Sequence, residues 1–204
     1  RTQLFDTDAE CVDGLQVNAS GMQTWATAEY VDALKRAIIT MHEDNPVKRI
    51  VVFNVHCGSI PLALLRAFPR LRCIGMQACS VQTTITRNNL SAAGIDAARY
   101  DIRTLDCTAP WVLKLAELHE EDTVVIVDPY WGNASSARVR PTVHANSKMF
   151  VTDLLRKFSR TITLLPSNVH MSWFATEMGE RRIEISAVDS NFVVCVTPRS
   201  VKRG

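Results

Sequence analysis

The run Thr123-Val-Val-Ile-Val127 constrains this chain most. All five residues are β-branched, and the run is bounded by Glu121-Asp122 before it and Asp128-Pro129 after it. A short, unbroken apolar run between turn residues predicts a central strand of a parallel sheet, buried on both faces. The residues that follow are Asp128, Pro129, Tyr130, Trp131 and Gly132. In open α/β sheets, ligands bind outside the C-terminal ends of the strands, where these residues fall. Proline stiffens the turn and removes an amide donor, leaving carbonyls free to accept. Tyr130 and Trp131 add flat faces for stacking. An acceptor-rich turn beside a stacking platform suits an exocyclic amino group on a heteroaromatic base. The plainer alternative is a strand-to-loop turn whose aromatics pack as core.

The rest of the chain agrees with such a sheet. Residues 1–26 show no periodicity and are read as an arm or lid. A helix is expected from Thr27, its N-cap, to Met41, with Val31, Leu34, Ile38 and Met41 as its apolar stripe and Asn45-Pro46 as its end. Strand and helix then alternate. Strands are expected at 49–55, 72–76, 97–102, 123–127 and 161–165, with helices at 62–68, 80–93, 110–119, 147–158 and 172–178. Two last strands, 182–187 and 191–196, flank Val188-Asp-Ser190 as an antiparallel hairpin. The fold class is α/β, a doubly wound Rossmann-like sheet closed by that hairpin, with a short N-terminal helical arm. The expected division is an arm and helix over 1–46 and the sheet domain over 47–204.

At 204 residues one domain is expected, and a net charge of +2 is too small to argue for nucleic acid by itself. The six cysteines form no C-x-x-C pair and the histidines no H-x-x-x-H, so a reducing compartment and no metal site are expected. No signal peptide or long apolar span is seen, so no membrane association is expected and the location is read as intracellular. The chain starts with Arg rather than Met and is read as a fragment.

With these residues in place, the chain resembles the class I S-adenosylmethionine-dependent methyltransferases. Within them it is most similar to the trimethylguanosine synthases, which methylate the exocyclic amine of an RNA cap guanine. The resemblance begins at Leu4-Phe5, Asp13-Gly14, Gly21 and Thr27-Ala28-Glu29, and continues through Cys57-Gly58, Arg87-Asn88-Asn89 and Gly94-Ile95. It ends with Asp128-Pro129-Tyr130-Trp131-Gly132 and Leu165-Pro166 with Asn168. It implies S-adenosyl-L-methionine as cofactor, no metal, capped RNA or a cap analogue as partner, and, by analogy, the nucleus. Trp131 would stack on the cationic 7-methylguanine, a cation–π contact worth roughly 1 kcal/mol or more when desolvated. Asp128 and the Pro129 carbonyl would accept from the guanine amine, with Tyr130 completing the motif. Asn168, Trp25 and Arg138 would face the substrate, and Asn54, His56, Cys57, Gly58, Gln77 and Asp101 would line the cofactor site.

The departures cluster in that cofactor site. Asn54 and Gln77 stand where the family has acids, His56 precedes Cys57-Gly58 in place of an aromatic, and Ser59-Ile60-Pro61 replaces glycines. Ile60 does not readily take the positive φ that glycine allows, so a misshapen loop is expected. Neutral bonds in place of charge-assisted ones weaken cofactor binding by about ten- to a hundredfold. Two alternatives therefore stand beside the enzyme: an inactive fold kept as an RNA-binding or scaffold subunit with a protein partner, and a methyltransferase acting on another planar amine such as adenine or a protein glutamine.

Overall fold

The computed structural model describes residues 15–17, 26–128, 140–143, 148–188 and 191–198. Helix α1 (Ala28–Asp44) leads into β1 (Arg49–Phe53), α2 (Ser59–Ala67), β2 (Arg72–Gln77), α3 (Ser80–Ala92), β3 (Tyr100–Thr104) and β4 (Thr123–Val127). Helix α4 (Val151–Leu155), β5 (Thr161–Pro166), α5 (Met171–Met178), β6 (Arg182–Val188) and β7 (Asn191–Thr197) complete the order. The strands form one sheet in the order β3-β2-β1-β4-β5-β7-β6. Strands β1 to β5 pair in parallel, and β7 runs antiparallel between β5 and β6. This is the mixed α/β sheet expected, with the terminal hairpin at one edge.

The β-branched run does what its composition dictates. All of β4 is buried. Val124 and Ile126 face one core with Ile50 and Val52 of β1, and Val125 and Val127 face the other with Val51 and Phe53. Each fully buried Val or Ile contributes about 1.5–3 kcal/mol of transfer free energy. Helices α1 and α2 and Leu90 of α3 cover the first face, and α4, α5 and the turns after β3 cover the second. Thr27 caps α1 by accepting from the Tyr30 amide, as expected. The buried stripe is rotated, however: Tyr30, Ala33, Leu34, Ile38 and Met41 are buried, and Val31 only partly so.

Several boundaries differ for local reasons. Strand β1 stops at Phe53 because Asn54 turns to φ 62°. The Asp96 side chain accepts from the Ala98 amide and sets a 3-10 turn over Ala97–Arg99, which delays β3 to Tyr100. The helix expected over 110–119 is two 3-10 turns, Val112–Lys114 and Ala116–Leu118, separated by Leu115 in an extended conformation. The helix expected over 147–158 shrinks to α4, since Phe150 is extended and bridges Thr142. Among the described residues no helix is long and apolar enough to cross a membrane.

Candidate functional site

The chain builds β1, β2 and β3 outward in one direction, then returns to lay β4 on the other side of β1. The crevice between the C-terminal ends of β1 and β4 is thus the switch point, where this class of sheet opens to ligands. Two segments meet there: the β1–α2 loop, Asn54 to Gly58, and the end of β4 at Asp128.

The loop is sharply curled. Asn54 (φ 62°), His56 (φ 50°) and Gly58 (φ 92°) all take left-handed backbone. Asn and His enter this region more easily than most residues. Glycine is required at 58 for a second reason: a Cβ there would stand 2.9 Å from Thr86 Cγ2. Ile60 and Pro61 lie in the first turn of α2 with negative φ. First-turn amides have no helical partner, so Pro61 costs no backbone bond. The misshapen loop expected from Ile60-Pro61 therefore does not occur; the curl is carried earlier, by Asn54 and His56.

Most loop groups are held by the protein. The Asn54 and Val55 amides donate to the Met76 carbonyl at 2.9 and 3.3 Å. Asn54 Nδ2 donates to the Asp128 carbonyl at 3.0 Å and the Val143 carbonyl at 2.8 Å, while Cys107 Sγ lies 3.9 Å from its Oδ1. Both nitrogen partners are acceptors, so Asn54 acts as a donor; a carboxylate could not fill that role. The His56 amide donates to Gln77 Oε1 at 3.2 Å, and Thr86 Oγ1 donates to the His56 carbonyl at 2.9 Å. The fully buried Asn89 donates to the Cys57 carbonyl (2.8 Å) and the Gln16 carbonyl (2.8 Å) and accepts from the Gln16 amide (2.7 Å). It clamps the arm to the loop, as does Ser59 Oγ by accepting from the Ala26 amide at 3.1 Å.

Across the crevice, the Asp128 carboxylate Oδ2 is 3.7 Å from His56 Nε2, with side chains only 14% and 23% exposed. Burial pushes the Asp128 carboxyl up to about 7 and the His56 imidazole down to about 4. Both groups are thus driven toward their neutral forms, and His56 is neutral at pH 7. The buried Tyr30 phenol has no hydrogen-bond partner among the described residues; burial first, then the nearby Asp128 charge, raises its pKa.

Of the residues singled out in the sequence, Asn54, His56, Cys57, Gly58, Gln77 and Asp128 meet at this edge. Asn168 lies in the turn after β5, at the same edge. Asp101 does not. It sits near the start of β3, exposed, with Oδ2 bonded to Arg103 at 2.7 Å. Asp106, just beyond the end of β3, bonds the Thr108 amide through Oδ1 at 2.8 Å. Pro129, Tyr130, Trp131, Trp25 and Arg138 lie outside the described residues. Among those described, no three His, Cys, Asp or Glu side chains gather as a metal site would require. Sequence reasoning assigned no role to Asn89 or Tyr30; neither carries a local signal, since their partners are distant in the chain.

No protein-family profile matches the chain, and no curated protein matches it in sequence. Solved structures do match. The N-terminal domain of human METTL16 superposes with a TM-score of 0.60 at 5% identity, covering 86% of this chain and 72% of that one. A second structure of that domain was solved in complex with SAH. A SAM-dependent methyltransferase from Agrobacterium tumefaciens matches with a TM-score of 0.57 at 12% identity, covering 86% and 63%. An O-methyltransferase family protein from Burkholderia thailandensis matches with a TM-score of 0.55 at 9% identity over 84% of this chain, which spans 58% of that protein's length. At such identities the likeness is one of fold: a Rossmann-like α/β sheet that this chain shares with these methyltransferases.

Proposed function

We propose that the chain is a SAM-dependent methyltransferase whose acceptor is a planar exocyclic amine, with the amine of a 7-methylguanosine RNA cap as the favoured substrate. The observation that carries this reading is the Asp128 carboxyl, seated at the switch-point end of β4 with its pKa pushed up to about 7. A proton acceptor poised near neutrality is matched to an amine that sheds a proton as it is methylated.

The described residues fit the cofactor's chemistry. Gln77 Oε1 is engaged by the His56 amide, and its amide nitrogen remains to donate to a ribose hydroxyl. The first-turn amides of α2 at Ser59 and Ile60 offer donors and a positive dipole end to a carboxylate. Asp106 offers an acceptor to an adenine amine. S-adenosylmethionine supplies an electrophilic methyl group when bound. Asp128 would accept from the substrate amine, hold its lone pair in line and take the released proton. Trp131 would supply the stacking face, with cation–π attraction to the 7-methylated ring. Most of the rate would come from positioning the two reactants.

A second reading, a fold that recognises the base without methylating it, is favoured by His56. At 3.7 Å from the Asp128 carboxylate, its ring leaves no room for an atom between them. The test is transfer of a radiolabelled methyl group to 7-methylguanosine-capped RNA. Transfer by the wild type, falling about a hundredfold or more in Asp128→Asn, supports the enzyme. Cap binding without transfer supports the second reading. Label on adenosine or protein glutamine, with none on the cap, would reassign the acceptor.

A further inference from the structure

Strand β4 alternates strictly: Val124 and Ile126 enter the core beneath α1 and α2, Val125 and Val127 the opposite one. Its pairing with β1 runs on past the strand, since the Asp128 amide meets the Phe53 carbonyl at 3.5 Å. The alternation therefore turns the Asp128 side chain toward the α1 face. Leu164, the position of β5 that follows the last paired residue, Thr163, lies in that same core. Helix α1 begins over this spot. The Ala26 amide, just before the helix, donates to Ser59 Oγ at the head of α2, and Tyr30 follows one turn later. Tyr30 is 4% exposed and belongs to the core that holds Ile126 and Leu164.

The Tyr30 hydroxyl is buried and bonds nothing among the described residues. A phenylalanine would fill the same core without the cost of an unpaired polar group. The charge that acts on this hydroxyl most strongly is that of Asp128. The Asp128 carboxylate is itself short of donors: His56 Nε2 stands at 3.7 Å, beyond hydrogen-bond range. The other groups around the pair offer it no charge. His56, from the β1–α2 loop, is neutral at pH 7, and burial pushes the Cys195 thiol of β7 up to about 12. Asn54 spends its carboxamide nitrogen on two backbone carbonyls. Among the described residues no lysine or arginine pairs with Asp128. A buried donor without an acceptor thus lies in the field of a buried acceptor without a donor.

We propose that Tyr30 is a positioning residue, whose hydroxyl turns its hydrogen toward Asp128 when that carboxyl ionises and so holds the base in its working form. A hydroxyl hydrogen rotates about the C–O bond, so the response needs no movement of a heavy atom. In a site this dry, one oriented dipole acts on a charge far more strongly than it would in water. Tyr30 gives up no proton; it steadies the carboxylate before the proton of the substrate amine arrives. The pairing stands on the fold, and its catalytic consequence rests on the reading of Asp128 as the base.

The test follows the carboxyl carbon of Asp128 by NMR on the full chain labelled with 13C-aspartate, in the wild type and in Tyr30→Phe, with Asp128→Asn to assign the signal. The wild-type midpoint, about 7, should move up by roughly 0.5–1 pH unit in Tyr30→Phe, as the loss of one donor implies. The Tyr30 Cζ signal of the wild type should shift with the same midpoint, and Asp128→Asn should abolish that shift. This second reading needs no change at Tyr30 and so decides the matter even if Tyr30→Phe does not fold. In methyl transfer, the acid limb of kcat/KM should move up by the same amount in Tyr30→Phe, with the plateau held. A tyrosine that only fills the core would move none of these. An unchanged Asp128 midpoint in Tyr30→Phe, or a Tyr30 signal blind to the titration of Asp128, would overturn the proposal. If the midpoint moves and no methyl is transferred by either protein, the pairing stands and the reading of Asp128 as a base falls. If the wild type transfers methyl, Asp128→Asn does not, and the midpoint ignores Tyr30→Phe, the base stands and the role of Tyr30 falls.

Discussion

Asn54→Asp places an acid at the end of β1, where the sequence resemblance leads one to expect it, and it should destabilise this protein. The backbone is not the reason: Asn54 sits at φ 62°, which an aspartate tolerates about as well as an asparagine. The reason is direction. The carboxamide donates to two carbonyls, those of Asp128 and Val143, at 3.0 and 2.8 Å, in a position only 8% exposed. A carboxylate would lose both bonds and set its charge against two acceptors. At about 1–3 kcal/mol for each buried group left unpaired, plus repulsion, the cost is about 3–5 kcal/mol. For a domain of this size that lowers Tm by roughly 6–20 °C. The loss should also depend on pH. Burial and the facing carbonyls raise the new carboxyl's pKa, so its penalty grows as pH rises from about 4 through the raised value. Below that range the protonated acid can still donate one bond. Thermal melts of wild type, Asn54→Asp and Asn54→Ala at pH 5 and pH 8 check this. If the Asn54→Asp variant melts with the wild type at pH 8, or loses the same amount at both pH values, Asn54 is not a donor here.

Gly58→Ala should cost about 1–3 kcal/mol, from φ 92° and the 2.9 Å approach to Thr86 Cγ2. Adding Thr86→Ser removes that methyl but keeps the hydroxyl bonded to the His56 carbonyl, and urea titration should show part of the loss recovered. Gln77→Glu keeps the acceptor for the His56 amide and adds a charged partner for ribose, so calorimetry should show S-adenosylhomocysteine binding tightened about tenfold. Asp128→Asn should stabilise the protein progressively as pH rises from 3.8 to about 7, by at most about 4 kcal/mol, because the raised carboxyl makes the wild type lose stability over that range. His56→Gln should act in the opposite window: the wild type loses stability as pH falls from 6.5 to about 4, and the variant should lose less in acid melts.

The sheet was legible because its central strands are buried on both faces and leave runs such as Ile50-Val-Val-Phe53 and Thr123 to Val127. What failed were features set by side chains bonding to backbone. The Asp96 cap pushed β3 along the chain, so Asp101, expected near the strand's C-terminal end, lies near its start. His56 and Asn54 carry left-handed backbone without being glycine, which no pattern of glycines reveals. Asn89 joins Cys57 to Gln16, residues 32 and 73 positions away. Asn54 looked like the loss of an acid; in the fold it is the donor that ties β1 to the end of β4.

The central claim, that this crevice binds the cofactor and presents a base to it, is tested most directly by calorimetric titration with S-adenosylhomocysteine, with and without a 7-methylguanosine cap analogue. The account predicts binding weakened about ten- to a hundredfold from an ordinary micromolar site, and tighter cap binding once the cofactor product is present. No heat from either ligand, alone or together, would contradict it.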